Sequence, residues 1–305
     1  MTSRNEVQLE RERHCGLIAA FTAFMFWGLA PIYFKWLGQV RADEIIAHRI
    51  IWSVVFLGLV LLIRHKSEVR EHLRISPRVL ATLALSSALI LTNWLIFVYA
   101  VNSDRVLSTS LGYFINPLVN VLLGLLIFQE RLTGLQILAV IIAAMGTLFM
   151  AIQIGLVPWM ALGLAFSFGL YSVVRKLTEV GPMVGLFWET LLAMPLALLW
   201  LFGLQRNELL MFDPAQTAST LLLIGTGLVT VFPLLLFATA VRRLPLSTMG
   251  ILQYLAPSMT FFLAIFVYGE PFTRDHAITF GCIWTALILY SYSSFQQRRQ
   301  TRLPS

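Results

Sequence analysis

The chain has 305 residues, of which 58% are hydrophobic and only 12% are charged. Soluble domains carry roughly 25% charged residues, so a soluble enzyme or binding module is excluded and an all-α integral membrane protein is expected. The net charge of +7 would suit nucleic acid, but the basic residues follow the connections between apolar stretches instead.

A helix needs about 20 apolar residues to cross a hydrocarbon core of about 30 Å. Ten such stretches lie end to end, at 16–37, 45–63, 79–101, 106–128, 134–153, 157–174, 183–202, 218–241, 246–268 and 277–295. The first follows Arg11 and Arg13 as a signal peptide would. It is too long for a signal core, however, and contains Trp27, Pro31 and Lys35, so it is expected to be retained. Cys15 and Cys282 are too few and too poorly spaced for a disulfide framework or a metal cluster, and no cofactor is implied. If the N-terminus is cytoplasmic, one side collects sixteen Lys and Arg residues, among them Arg64, Arg78, Arg131, Arg175, Lys176, Arg242 and Arg243. The other side has five: Lys35, Arg41, Arg105, Arg206 and Arg274. The positive-inside rule then places both termini in the cytoplasm, with anionic lipid a partner at the inner leaflet.

In chain order, span one offers Trp27 and Tyr33 as aromatic candidates for a binding cavity, with packing or an interfacial belt as the other reading, favoured for Tyr33. Span two contains His48 and the intramembrane Arg49. The connection 64–78 reads equally as a short surface helix dipping Val69 and Leu73 into headgroups or as a solvated loop. In span three, Asn93 lies about 21 Å from the start, too deep for headgroups, and Tyr99 accompanies it. Span four carries Thr109, Tyr113, Asn116 and Asn120, spaced by four, three and four residues and therefore on one helix face. Pro117 should kink that helix about 18 Å into the membrane and free a carbonyl beside the stripe. An unsatisfied polar group costs several kcal/mol in hydrocarbon, so the asparagines face either a wet cavity or neighbouring helices.

Glu130 and Glu270 end spans four and nine, where each should shape the turn into the next helix, with Thr133 and Thr273 as N-caps. Ser167 and Tyr171 in span six and Thr230 in span eight join the cavity candidates. Span seven holds Glu189, a default functional candidate in a membrane and a candidate proton carrier if buried. In span nine, Met249, Gln253, Ala256 and Thr260 form a weaker stripe beside Pro257.

Offset by 140 residues, "LIFVYAV" (95–101) aligns with "LLFATAV" (235–241), Pro117 with Pro257, Glu130 with Glu270 and Thr133 with Thr273. At 141, Gly28 meets Gly169 and Lys35 meets Lys176. The chain is a duplication, residues 1–154 and 155–305. Each half holds five spans, an odd number, so the second enters the membrane inverted, as in many secondary transporters. Arg49 and Glu189 occupy equivalent places, but inversion separates their depths by about 10 Å. Local partners are expected instead: Glu270 for Arg49, and Arg175 or Lys176 for Glu189.

Five plus five spans, with Pro in the middle and Glu at the end of the fourth and ninth, resemble the drug/metabolite transporter superfamily in its EamA group. "ADEIIAHRIIWS" (42–53), "SLGYFINPLVN" (110–120), "LAFSFGLYSVVRK" (164–176) and "STMGILQYLAP" (247–257) are similar to the RarD-type permeases. The resemblance implies a ten-helix bacterial inner-membrane permease linked by family name to chloramphenicol sensitivity, without a defined substrate.

No phosphate loop, H-E-x-x-H or G-x-S-x-G motif occurs, so neither ATP-driven pumping nor intramembrane hydrolysis is expected. Secondary transport of a small organic metabolite or drug-like solute remains, with a membrane scaffold or sensor on a transporter fold as the alternative. The expected substrate contacts are Trp27, Asn93, Tyr113, Asn116, Asn120, Tyr171 and Gln253.

Overall fold

The computed structural model describes residues 2–65, 74–103, 106–155, 159–213, 216–269 and 271–302. Among these residues the chain is helical throughout, with no strand. The reason is the solvent: in hydrocarbon only a helix or a closed barrel satisfies every backbone N–H and C=O. The first five helices are α1 (Thr2–Trp36), α2 (Ala42–His65), α3 (Pro77–Asn102), α4 (Val106–Ile127) and α5 (Gly134–Ile154). The second five are α6 (Trp159–Leu177), α7 (Pro182–Arg206), α8 (Thr217–Val241), α9 (Leu246–Val267) and α10 (Arg274–Arg302). Among the described residues nine of them are long and apolar enough to cross a membrane; α4, the tenth, runs for 22 residues. The expected surface segment around Val69 and Leu73 lies outside the described residues.

Helix packing follows the repeat. Helix α1 packs on α8 and α9, and its equivalent α6 packs on α3 and α4; α2 packs on α8 as α7 packs on α3. The pairs α2–α7, α4–α9 and α5–α10 each join a helix to its own equivalent. This is the contact pattern of a pseudo-twofold between inverted halves. Side chains repeat it: a Cβ on Gly28 would fall within 3.0 Å of Met259, and one on Gly169 within 3.0 Å of Val119, glycines 141 residues apart meeting partners 140 apart. Small residues at these crossings let the backbones approach where no hydrophobic drive pulls helices together. Lys35 likewise sits over the Tyr268 ring at 3.7 Å and Lys176 over Phe128 at 5.3 Å.

The halves differ at the prolines. In α9 the helix is interrupted at Tyr254, whose N–H bonds Ile251 O at 3.2 Å, and the last turns, Leu263–Val267, widen into a π-helix. Pro257 has no N–H for the carbonyl of Gln253, four residues back, which accounts for a break there. Pro117 sits inside an uninterrupted α4. Its loosened turn is stitched from outside, where Phe114 O accepts the hydroxyls of Tyr254 at 3.2 Å and Thr147 at 3.4 Å.

Thr133 caps α5 in a reciprocal capping box with Gln136, and Thr273 Oγ1 accepts the His276 N–H of α10 at 3.3 Å, as their positions in the sequence require. The outer surface is apolar, with Phe266, Ile63, Ile152, Leu126 and Ile288 among its most exposed side chains, as lipid contact demands.

Candidate functional site

The polar stripe of α4 meets α9 where the two proline helices cross. Asn116 and Asn120 are buried, and Asn120 Nδ2 donates to Gln253 Oε1 at 2.7 Å and to Asn116 Oδ1 at 3.4 Å. This amide chain ties one half of the molecule to the other. Asn120 Oδ1 has no partner among the described residues and is closed off, an unsatisfied acceptor of a kind that costs about 1–3 kcal/mol. The Thr109 side chain lies outside the described residues.

Tyr113 behaves differently. It keeps 50% of its surface accessible while its helix neighbours Leu111, Gly112 and Phe114 are buried. It is also within electrostatic reach of Arg49. The Arg49 side chain points into the bundle, where Nε donates to Thr230 Oγ1 at 2.8 Å and the guanidinium lies 4.9 Å from the Trp94 ring and 5.5 Å from that of Phe34. Tyr113 of α4 thus keeps accessible surface near a charge that side chains of α1, α3 and α8 surround. Glu270, the expected partner of Arg49, lies outside the described residues, and among those described Arg49 has no carboxylate partner.

Glu189 instead finds one of its two expected partners. Arg175 Nη1 stands 3.2 Å from Glu189 Oε1, with both side chains at most 2% exposed. Ser86 Oγ donates to Oε1 at 2.5 Å, Tyr171 OH to Oε2 at 3.4 Å and Ser87 Oγ to the Glu189 carbonyl at 2.9 Å. Lys176 is elsewhere. Its Nζ donates to Val241 O at 3.1 Å and to Leu244 O, because the end of α8 offers unpaired carbonyls to a cation.

The remaining sequence candidates are drawn into packing. Trp27 joins Phe24, Phe168 and Phe237 at ring distances of 5.7–5.9 Å. Asn93 Nδ2 donates to Leu164 O at 2.9 Å and Ser167 Oγ at 3.0 Å, holding α3 to α6. Tyr33 donates to Leu222 O. His48 Nδ1 accepts the Trp52 indole N–H at 3.3 Å and the ring packs on Phe212.

The role expected of Glu130 needs correction. Its carboxylate does not serve the turn into α5; Oε1 accepts the Leu246 N–H at 2.5 Å, and Oε2 accepts the Ser247 N–H at 2.9 Å and the Ser247 hydroxyl at 2.6 Å. Pro245 precedes α9 and brings no capping side chain, so the free N–H groups of the helix start take an anion from the other half. Together, Glu130 and Lys176 hold the α8–α9 turn from both of its sides. Glu130→Gln keeps an acceptor but removes the charge, worth up to about 2 kcal/mol in a partly buried helix end. We expect a cysteine placed at Thr248 to be labelled faster in Glu130→Gln than in the parent, and equal rates would show that the carboxylate does not hold this turn.

Ser86, Ser87, Trp94 and Phe34 were not legible as partners of these charges. Only the adjacent serines, isolated hydroxyls in an apolar span, hinted at a buried acceptor.

A family model described as the EamA-like transporter family matches residues 14–152 and again 156–292. The Bacillus subtilis transporter YojE is 44% identical over 94% of this chain and 97% of its own length. The RarD protein of Escherichia coli K12 is 41% identical over 94% and 97% respectively. The chloramphenicol-sensitive protein RarD of Pseudomonas aeruginosa is 32% identical, over 94% of this chain and 97% of its own length. A crystal structure at 16% identity superposes with a TM-score of 0.74 over 92% of this chain and 98% of that one, which shows the shared fold. With both halves matched and transporters as its relatives, this bacterial multi-pass membrane protein belongs to the EamA-like transporter family.

Proposed function

We propose that the chain is a secondary transporter of the inner membrane, with both termini cytoplasmic, that moves a small organic metabolite or drug-like solute by alternating access. The halves 1–154 and 155–305 are the two moving parts. The observation that carries this reading is an intramembrane Arg49 without a described carboxylate partner, near a half-exposed Tyr113, in a fold whose two inverted halves meet at the α4–α9 crossing. Glu130 and Lys176 tie the α8–α9 turn to the helices around it. Inverted halves that meet at such a crossing are the arrangement that alternating access uses.

In this reading Tyr113 contacts solute directly, and Asn116, Asn120 and Gln253 form the joint about which the halves rearrange. Trp27, Asn93 and Tyr171 shape the site through the helices they hold. Proton coupling through Glu189 would require Arg175 to leave the carboxylate during the cycle.

Alternating access predicts reciprocal labelling. In a background without Cys15 and Cys282, cysteines at Tyr113 and Thr248 should respond oppositely to a transported solute, one gaining reactivity as the other loses it. Parallel or unchanged labelling across a solute panel, with folded protein and no flux into proteoliposomes, would support a scaffold or sensor instead.

A further inference from the structure

We infer that Arg49 and Tyr113 form a site that selects organic anions, taking a single carboxylate on Arg49 and a flat aromatic or unsaturated group beside Phe34 and Trp94. This rests on the transporter reading and adds to it the chemical class of the solute.

Arginine remains charged in proteins, and a cation inside a membrane protein ordinarily pairs with an acid or marks a pathway. Arg175, another guanidinium within the bundle, follows the first rule with Glu189 at 3.2 Å. Arg49 has the second character. Its Nε is occupied by the Thr230 hydroxyl at 2.8 Å, which fixes the plane of the guanidinium. Its two terminal nitrogens carry no hydrogen bond to a described residue. Trp94 at 4.9 Å and Phe34 at 5.5 Å offer ring faces to the charge, and such contacts partly offset desolvation without neutralising it.

A carboxylate meets a guanidinium edge in two parallel hydrogen bonds. The open Tyr113 phenol, within electrostatic reach of the same centre, supplies a donor for a further oxygen. One guanidinium neutralises one negative charge, so a monoanion fits better than a phosphate dianion. Phe34, the more open of the two rings that flank the cation, provides the wall that an aromatic body would stack on. At the 140-residue offset, Arg49 is matched by Glu189 and Trp94 by Leu234, and Trp94 and Leu234 both line the small space beside Glu189. The other half therefore repeats neither the cation nor the ring. Anion recognition thus belongs to one half only, which orients the solute.

The test uses the purified full chain with phenylacetate, phenylacetamide and acetate as probes, reading tryptophan quenching and protection against thermal unfolding. Phenylacetate should bind at least tenfold more tightly than either its neutral amide or the ringless acid. Arg49→Gln should lose at least tenfold of that affinity, and Arg49→Lys should retain part of it. Equal binding of acid and amide, no binding of phenylacetate, or full affinity in folded Arg49→Gln would overturn the inference. Should Arg49→Gln fail to fold, the comparison of acid with amide on the unmodified chain decides alone. Flux of neutral solutes without acid selectivity would sink the anion site and leave the transporter standing; acid-selective binding with no flux of any solute would do the reverse.

Discussion

Glu189→Ala is expected to cost about 3–5 kcal/mol of stability, because it leaves Arg175 as a buried charge without a counterion. The Arg175 side chain is fully enclosed, and its hydrogen bond besides that pairing is a long one, from Nη2 to Pro182 O at 3.4 Å. Glu189 is the one described carboxylate paired with Arg175. Replacing both residues by leucine should recover most of the loss, since a buried ion pair contributes little over well-packed apolar groups. Thermal unfolding in detergent of the two single variants and the double variant forms the cycle that decides this. A double variant no more stable than Glu189→Ala would show that the pair is worth more than its charges. Glu189→Gln keeps the shape and an acceptor for Ser86, so where it folds it isolates the proton. If Glu189 carries one, flux in this variant should lose its response to a pH gradient while exchange continues; an unchanged response would remove Glu189 from coupling.

Gly250→Val is expected to lose at least about 1–3 kcal/mol, the range for forcing atoms into a filled interior. A Cβ at Gly250 would fall within 3.0 Å of the Pro117 carbonyl oxygen, with Val121 and Asn120 the next neighbours. A backbone oxygen cannot rotate aside as a side chain can, so α4 and α9 must separate. Separation also stretches the 2.7 Å bond from Asn120 to Gln253, so the substitution should impair flux as well as stability. Gly281→Ala provides the control: nothing lies within 4 Å of its Cβ position, and there alanine should gain roughly 0.5–1 kcal/mol from helix propensity. Gly250→Val as stable as the parent would mean that the crossing is looser than its contacts indicate.

The joint and the Arg49–Tyr113 site divide the residues that share one stripe of α4. Asn116 and Asn120 turn inward onto α9, whereas Tyr113, one turn earlier, opens toward Arg49. Helical spacing alone placed them on a common face, and it could not distinguish a neighbouring helix from open surface, because both lie on the same side of the helix. Arg49 and Glu189 show the same division. Their equivalence under the 140-residue offset was legible, yet one is paired and the other has no described counterion because their neighbours differ: Arg175 reaches Glu189, while Thr230, Trp94 and Phe34 surround Arg49.

Composition and periodicity by themselves determined the membrane class, the ten helices, the duplication and its inversion. Each is written along the chain itself: spans of about 20 apolar residues suit helices, the repeat shows at a fixed offset, and five crossings per half must reverse direction. Only the tertiary structure decided that Glu130 caps α9 across 116 residues of chain, that Asn120 bonds Gln253, and which intramembrane charge stands without a described counterion. Those outcomes depend on which side chains from distant helices arrive within hydrogen-bonding range, and no local pattern in the chain encodes that distance.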